Sequence, residues 1–199
     1  MHNSKSDIIN GDQALEELVI GNKRYVDARQ RHPNQAPLRR AELLNAQQPF
    51  AVILGCSDSR VPPEVIFDRG LGDLFVVRVA GNILDDVVLG SIEYAADHLH
   101  TPLIMVLGHS KCGAVQAAIK GVNGEGHIAC FTEAIKPALD EAKEQSGDLA
   151  NNIAKANTNI VTDQLKCSKP VLSKLISDGK LNVVPAFYDL DTGIVEILS

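Results

Sequence analysis

Pro49-Phe-Ala-Val-Ile-Leu-Gly-Cys-Ser-Asp-Ser-Arg60 opens on an apolar run and closes on a cysteine, an aspartate and an arginine. Val52, Ile53 and Leu54 form an unbroken apolar segment, the pattern of a parallel strand covered on both faces. Gly55 is expected to end the strand and let the backbone turn. Cys56, Asp58 and Arg60 then fall just past the strand's carboxyl end, where open α/β sheets place their ligands. Pro102-Leu-Ile-Met-Val-Leu-Gly-His-Ser-Lys-Cys-Gly113 repeats the arrangement, with Gly108 before His109 and Cys112. Two thiolates and one imidazole leave one position of a tetrahedral Zn²⁺ free, as in catalytic zinc sites; structural sites usually close with four protein ligands.

Outward from these two stretches, the chain alternates strands and helices. Residues 12 to 29 carry Ala14, Leu15, Leu18, Val19 and Tyr25 at helical spacing. Residues 31 to 40, polar and holding Pro33 and Pro37, read as an extended arm that packs on a second subunit. Val61 to Phe67 is expected to be a short helix begun by proline, and Leu74 to Ala80 a buried strand interrupted by Arg78. A buried arginine must be paired or reach a cleft, which makes Arg78 a candidate substrate contact. Residues 85 to 100 predict a helix with Val87, Val88, Ile92, Ala95, Ala96 and Leu99 on its apolar face. The third strand ends at His109, and a helix starts at Gly113. Gly121 to Gly126 reads as a flexible loop. Helices are predicted over 131–145, 148–166 and 170–177. A fourth strand at 181–189 is demoted toward an edge by Pro185, and a short last strand spans 194–198. The fold class is α/β: a mostly parallel central sheet flanked by helices, with an N-terminal helical arm and a C-terminal antiparallel edge strand. The 199 residues suit one domain, with 1–48 as helix and arm and 49–199 as the zinc-binding core.

A net charge of -6 without a basic stripe argues against nucleic acid as partner. No run is long enough to span a membrane. Reduced thiols in a metal site suit the cytoplasm, or the periplasm if a leader has already been removed. Of the 4 Cys, Cys130 and Cys167 have no partner at ligand spacing and read as small buried apolar residues. His2, His32, His98, His100 and His127 have no ligand-like neighbours.

Competing motifs fail on spacing. Cys56 and Arg60 are too close for a phosphatase loop. Gly108-His-Ser-Lys-Cys112 lacks the final glycine of a nucleophile elbow. Neither G-x-x-x-x-G-K-[ST] nor G-x-G-x-x-G occurs. A cysteine protease would pair one Cys with a His, whereas here a second Cys follows the His on the same loop.

Cys56-Ser-Asp-Ser-Arg60 followed by His109-Ser-Lys-Cys-Gly-Ala114 resembles the β-class carbonic anhydrases. Phe75-Val-Val-Arg78, Gly90-Ser-Ile-Glu-Tyr94 and Tyr188-Asp-Leu-Asp-Thr-Gly193 extend the likeness over about residues 12 to 198. The resemblance implies zinc on Cys56, His109 and Cys112 and a dyad of Asp58 and Arg60. It also implies reversible hydration of CO2 to bicarbonate by zinc-bound hydroxide, in homodimers or homotetramers with the active site at the subunit interface. Asp58, kept ionised by Arg60, would orient the hydroxide. Val61 and Gly113 are expected at the substrate, with Tyr94 or Phe75 as further walls. Two alternatives stand beside it: a COS or CS2 hydrolase on the same scaffold, and a non-catalytic zinc protein closed by Asp58 as fourth ligand. In one subset of the family the aspartate swings onto zinc and bicarbonate binds a regulatory pocket. That subset has Trp three residues before the first cysteine; Ile53 stands there here.

Overall fold

The computed structural model describes residues 10–121 and 126–199. Five strands form one sheet in the order β2-β1-β3-β4-β5. They are β1 (Ala51–Gly55), β2 (Leu74–Arg78), β3 (Leu103–His109), β4 (Asn182–Tyr188) and β5 (Val195–Ile197). The first four run parallel, and β5 returns antiparallel to β4. Around them lie α1 (Gly11–Val26), α2 (Pro37–Glu42), α3 (Pro63–Ile66), α4 (Asp86–Glu93), α5 (Gly113–Ile119), α6 (Ile128–Ala142), α7 (Leu149–Cys167) and α8 (Val171–Ser177).

Every residue of β1 and β3 is buried, because each faces helices on both sides and consecutive side chains alternate between the two faces. Val52, Leu54, Ile104 and Val106 meet Val88 and Ile92 of α4, Val161 and Leu165 of α7, and Leu172 of α8. Ala51, Ile53, Leu103, Met105 and Leu107 meet Ala14 and Leu18 of α1 and the α3 region at Ile66 and Phe67. Burying one such Ile or Leu contributes about 1.5–3 kcal/mol. α1 begins where the Asn10 side chain accepts from Gln13 N–H at 3.0 Å. α4 begins where Asp85 accepts from Val88 N–H at 2.7 Å. Both are aspartate- or asparagine-type N-caps.

The arm is partly helical. Pro37 starts α2 at its first position, where its missing N–H costs nothing. The rest of the arm is tied to its own subunit. Asp68, buried, accepts from the N–H groups of Arg31 and His32 and from Arg24 Nε. Asp73 accepts from Asn34 Nδ2 at 2.7 Å.

Several expectations are corrected. β2 is an outer strand, only half-buried, and its Arg78 is exposed rather than buried. Val87 is 78% exposed, because the buried stripe of α4 runs through Val88 and Ile92 and leaves Val87 to one side. The helix over 85–100 changes at Tyr94 into a wider π-turn, Tyr94–His98. β4 lies inside the sheet despite Pro185. The Pro185 carbonyl accepts from Leu198 N–H at 2.9 Å, so its missing N–H faces β5 beyond the β4–β5 pairs, which start at Ala186. Cys130 and Cys167 are exposed. Most of the loop 121–126 lies outside the described residues, as does His2.

Candidate metal centre

β1 and β3 are neighbours in register, with Gly55 beside Leu107. Cys56 follows that pair by one residue, and His109 by two, so both strand ends deliver their ligands at the same level. Neither glycine turns the chain as expected. Gly55 and Gly108 are the strands' own residues and lack positive φ. Gly108 is needed for close packing: a Cβ there would lie 2.2 Å from Thr158 Oγ1 of α7. The turn that brings Cys112 back toward His109 is made by Lys111, at φ 56°.

Cys56, His109 and Cys112 are all buried, and their ligand atoms lie within 4.8 Å of one another. The two Sγ atoms are 4.0 Å apart, close to the roughly 3.8 Å that two Zn–S bonds of about 2.3 Å span in a tetrahedron. His109 Nδ1 lies 2.8 Å from the Ser110 carbonyl. A carbonyl can only accept, so Nδ1 carries the proton and Nε2 presents its lone pair, which is how second-shell contacts orient a ligating imidazole. Nε2 is buried without a hydrogen-bond partner. An orphaned imidazole nitrogen beside two thiols is a donor set that zinc completes.

The two thiols are unequal. Cys56 is pushed down, first by the hydrogen bond from Cys112, with His109 and the Gly81 N–H adding to it. That N–H lies 3.3 Å from Cys56 Sγ. Cys112 is pushed up by its hydrogen bond to Cys56, by burial and by the negative charge on Cys56. Both must give up their protons to serve as thiolate ligands, so metal binding is coupled to proton release.

Asp58 and Arg60 stand at the mouth. Arg60 Nε donates to Asp58 Oδ1 at 2.9 Å and Nη2 to Oδ2 at 2.7 Å, the planar two-bond match of guanidinium and carboxylate. The Arg60 N–H adds a bond to Oδ1 at 3.0 Å, and Nη2 also donates to the Lys111 carbonyl at 3.2 Å. Arg60 thus links the loop after β1 to the loop after β3. It holds the Asp58 carboxyl down at about 2. Asp58 does not join the three-ligand cluster.

Arg78, beside Gly55 on β2, donates from Nε to the Cys56 carbonyl at 2.9 Å and from Nη2 to the Asp58 carbonyl at 2.6 Å. Val61 is buried. Gly113 has open space where a side chain would be. Two residues of this centre carry no sequence signal: Gly81, just past the expected strand end at Ala80, and Asn157, on α7, which donates to the Gly81 carbonyl at 2.9 Å. No spacing in the sequence links α7 to the site.

The carbonic anhydrase family model matches residues 51–195. Carbonic anhydrase 2 of Mycobacterium tuberculosis is 41% identical over 184 residues, covering 90% of this chain and 89% of that one. The carbonic anhydrase of Mycolicibacterium smegmatis is 40% identical, covering 94% and 92%. A structure among two tetrameric β-carbonic anhydrases of the ascomycete Sordaria macrospora superposes with a TM-score of 0.76 at 28% identity, over 80% of this chain and 85% of that one. The chain belongs to the carbonic anhydrase family, in its β class. It is a zinc enzyme, with Cys56, His109 and Cys112 as ligands, that interconverts carbon dioxide and bicarbonate.

Proposed function

We propose that Asp58 and Arg60 are the catalytic pair of this hydration and that Val61, Gly113 and Arg78 meet the substrate. Zinc, when bound, supplies a Lewis acid that brings water to nucleophilic strength near neutral pH. Two thiolate ligands donate more charge than imidazoles would, so the water needs help from the protein. Asp58, ionised and locked in orientation by Arg60, would accept a hydrogen bond from the attacking water and so orient it toward the carbon of CO2. Val61 supplies apolar wall for a small apolar substrate, and the bare Gly113 leaves room for it. The exposed guanidinium of Arg78 offers a cation to departing bicarbonate.

The observation that carries this reading is the two-bond Asp58–Arg60 pair standing beside, and outside, a three-ligand cluster. It favours an open metal position over a closed four-ligand site. Stopped-flow CO2 hydration by the zinc-loaded protein tests it, with COS as the competing substrate. A rate at background for CO2 alongside turnover of COS would overturn the substrate assignment.

The protein acts as a homodimer or homotetramer. Leu38 and Leu44 of the arm, Val65 on α3 and Leu71 before β2 are exposed, Leu44 by 79%. Apolar groups concentrated on one arm and the adjoining connection suit a subunit contact. Light scattering that shows only a chain of 21.4 kDa at micromolar concentration would refute it.

A further inference from the structure

We infer that Asn157 is a positioning residue for the metal centre: from α7 it holds the Gly81 carbonyl and so keeps the Gly81 N–H on the Cys56 sulfur. The inference rests on Cys56 being a zinc ligand. It starts from the backbone. Gly81 sits at φ 73° and ψ 17°, a left-handed conformation in which the chain reverses after β2. That reversal is what turns its N–H back toward Cys56, 3.3 Å away. A side chain at this position would also collide, with Ile135 Cδ1 at 2.8 Å and Ala114 Cβ at 3.1 Å. The position therefore admits glycine and little else, and glycine is the residue least able to hold one conformation unaided.

Asn157 provides the hold. It is 2% exposed, on the middle of a 19-residue helix packed against β3 and β4. Its Nδ2 donates to the Gly81 carbonyl at 2.9 Å. A buried amide is kept in a core only where its hydrogen bonds are met, and this one spends its donor on the residue whose N–H lies 3.3 Å from the Cys56 sulfur. The two contacts act on the two peptide planes that flank the Gly81 Cα, so together they hold its φ and ψ, and loss of the carbonyl contact frees the N–H to turn away. An N–H donated to a thiolate withdraws charge from the sulfur. That offsets part of the extra donation that distinguishes thiolate from imidazole ligands. Outer-shell partners of this kind tune metal affinity 10–100-fold in typical sites, roughly.

The experiment uses the full chain loaded with cadmium-113 in place of zinc. Scalar coupling from cadmium to the β-protons of Cys56 and Cys112 reports the ligand set by itself. Coupling from cadmium through the sulfur to the Gly81 amide proton reports the N–H···S bond. The expected result is both couplings in the unaltered protein. In Asn157→Leu the cysteine couplings persist, the Gly81 coupling is lost, and the zinc dissociation constant rises roughly 10–100-fold. The thiolate-to-metal charge-transfer band of the cobalt form moves to longer wavelength, because the sulfur has lost a donor. Asn157→Ala, which removes the amide without adding bulk, is read the same way should the leucine variant not fold. Thr162→Val, on the same helix and away from Gly81, keeps both couplings. Cysteine couplings without a Gly81 coupling in the unaltered protein would overturn the inference and leave the ligand set standing. Absent cysteine couplings would overturn the ligand set itself. A variant that loses thermal stability yet keeps the Gly81 coupling and the metal affinity would show Asn157 to be structural only.

Discussion

Arg60 grips Asp58 with both edges of its fork and, through the same Nη2, reaches the carbonyl of Lys111 on the opposite loop. The carboxylate is thereby held at the mouth of the metal centre but out of the ligand cluster. One cation both ionises the acceptor and withholds it from the metal.

Arg60→Ala therefore lowers kcat by roughly 100-fold or more, the usual worth of a positioned acid–base group, while zinc stays bound at one per chain. Arg60→Lys restores little, since a point charge cannot make the two-bond match. Elemental analysis beside stopped-flow kinetics separates rate from metal. Unchanged CO2 hydration in the alanine variant would remove the dyad from the reaction.

The dyad also sets a pH dependence. Asp58 is depressed to about 2 by Arg60, so it is ionised at neutral and mildly acidic pH. Its charge is present above the ordinary carboxylate value of about 3.9 and is lost only as pH falls through about 2. No acid limb of the activity profile between pH 4 and 7 belongs to Asp58. In Arg60→Ala the carboxyl returns toward the ordinary value, and a new acid limb near pH 4 appears in kcat/KM. A profile with the same acid limb in both proteins would contradict this.

Cys56→Ser and Cys112→Ser each lose zinc and activity together, because a hydroxyl does not ionise to replace a thiolate. His109→Ala does the same. Full zinc content in any of the three would displace that residue from the ligand set.

Asp68 anchors the arm. Burial pushes its carboxyl up, but the Arg31 N–H, the Arg24 guanidinium and the His32 N–H together outweigh burial and hold it below the ordinary range. A depressed folded-state pKa means stability that is present above about 3.9 and lost as pH falls through the folded value. Asp68→Asn leaves Arg24 without its carboxylate and costs about 2–4 kcal/mol near neutral pH. Its urea-unfolding midpoint also varies less with pH below about 4 than the unaltered protein's. Equal midpoints at pH 7 would show that the arm's anchorage lies elsewhere.

Local pattern carried most of the fold. Continuous apolar runs marked β1 and β3, both covered on two faces, and their next residues were the metal ligands. The dyad was legible because both members lie within five residues of Cys56. What failed was whatever depends on a neighbour distant in sequence. Val87 fits the helical stripe of α4, but only packing decides that the stripe starts at Val88. Pro185 argues for an edge unless one knows that its missing N–H falls past the end of β5. Cys130 and Cys167 were assigned to the core by residue type, and type alone cannot place a side chain on a helix's outer face. Gly108 looked like a turn because nothing in its own stretch reveals Thr158 pressing on it from α7. Asn157 was invisible for the same reason.

The ligands come from two strand ends, with Cys56 and His109 53 positions apart in the sequence, and these strands are parallel. Parallel neighbours cannot be joined by a tight hairpin; here the link runs through β2 and α4. Bringing such distant segments together carries the entropic cost of closing a long loop. His109 and Cys112 share one loop, but the third ligand, Cys56, reaches them only through the pairing of β1 with β3. The complete ligand set is thus a product of sheet topology, and whatever loosens the β1–β3 pairing loosens the grip on zinc.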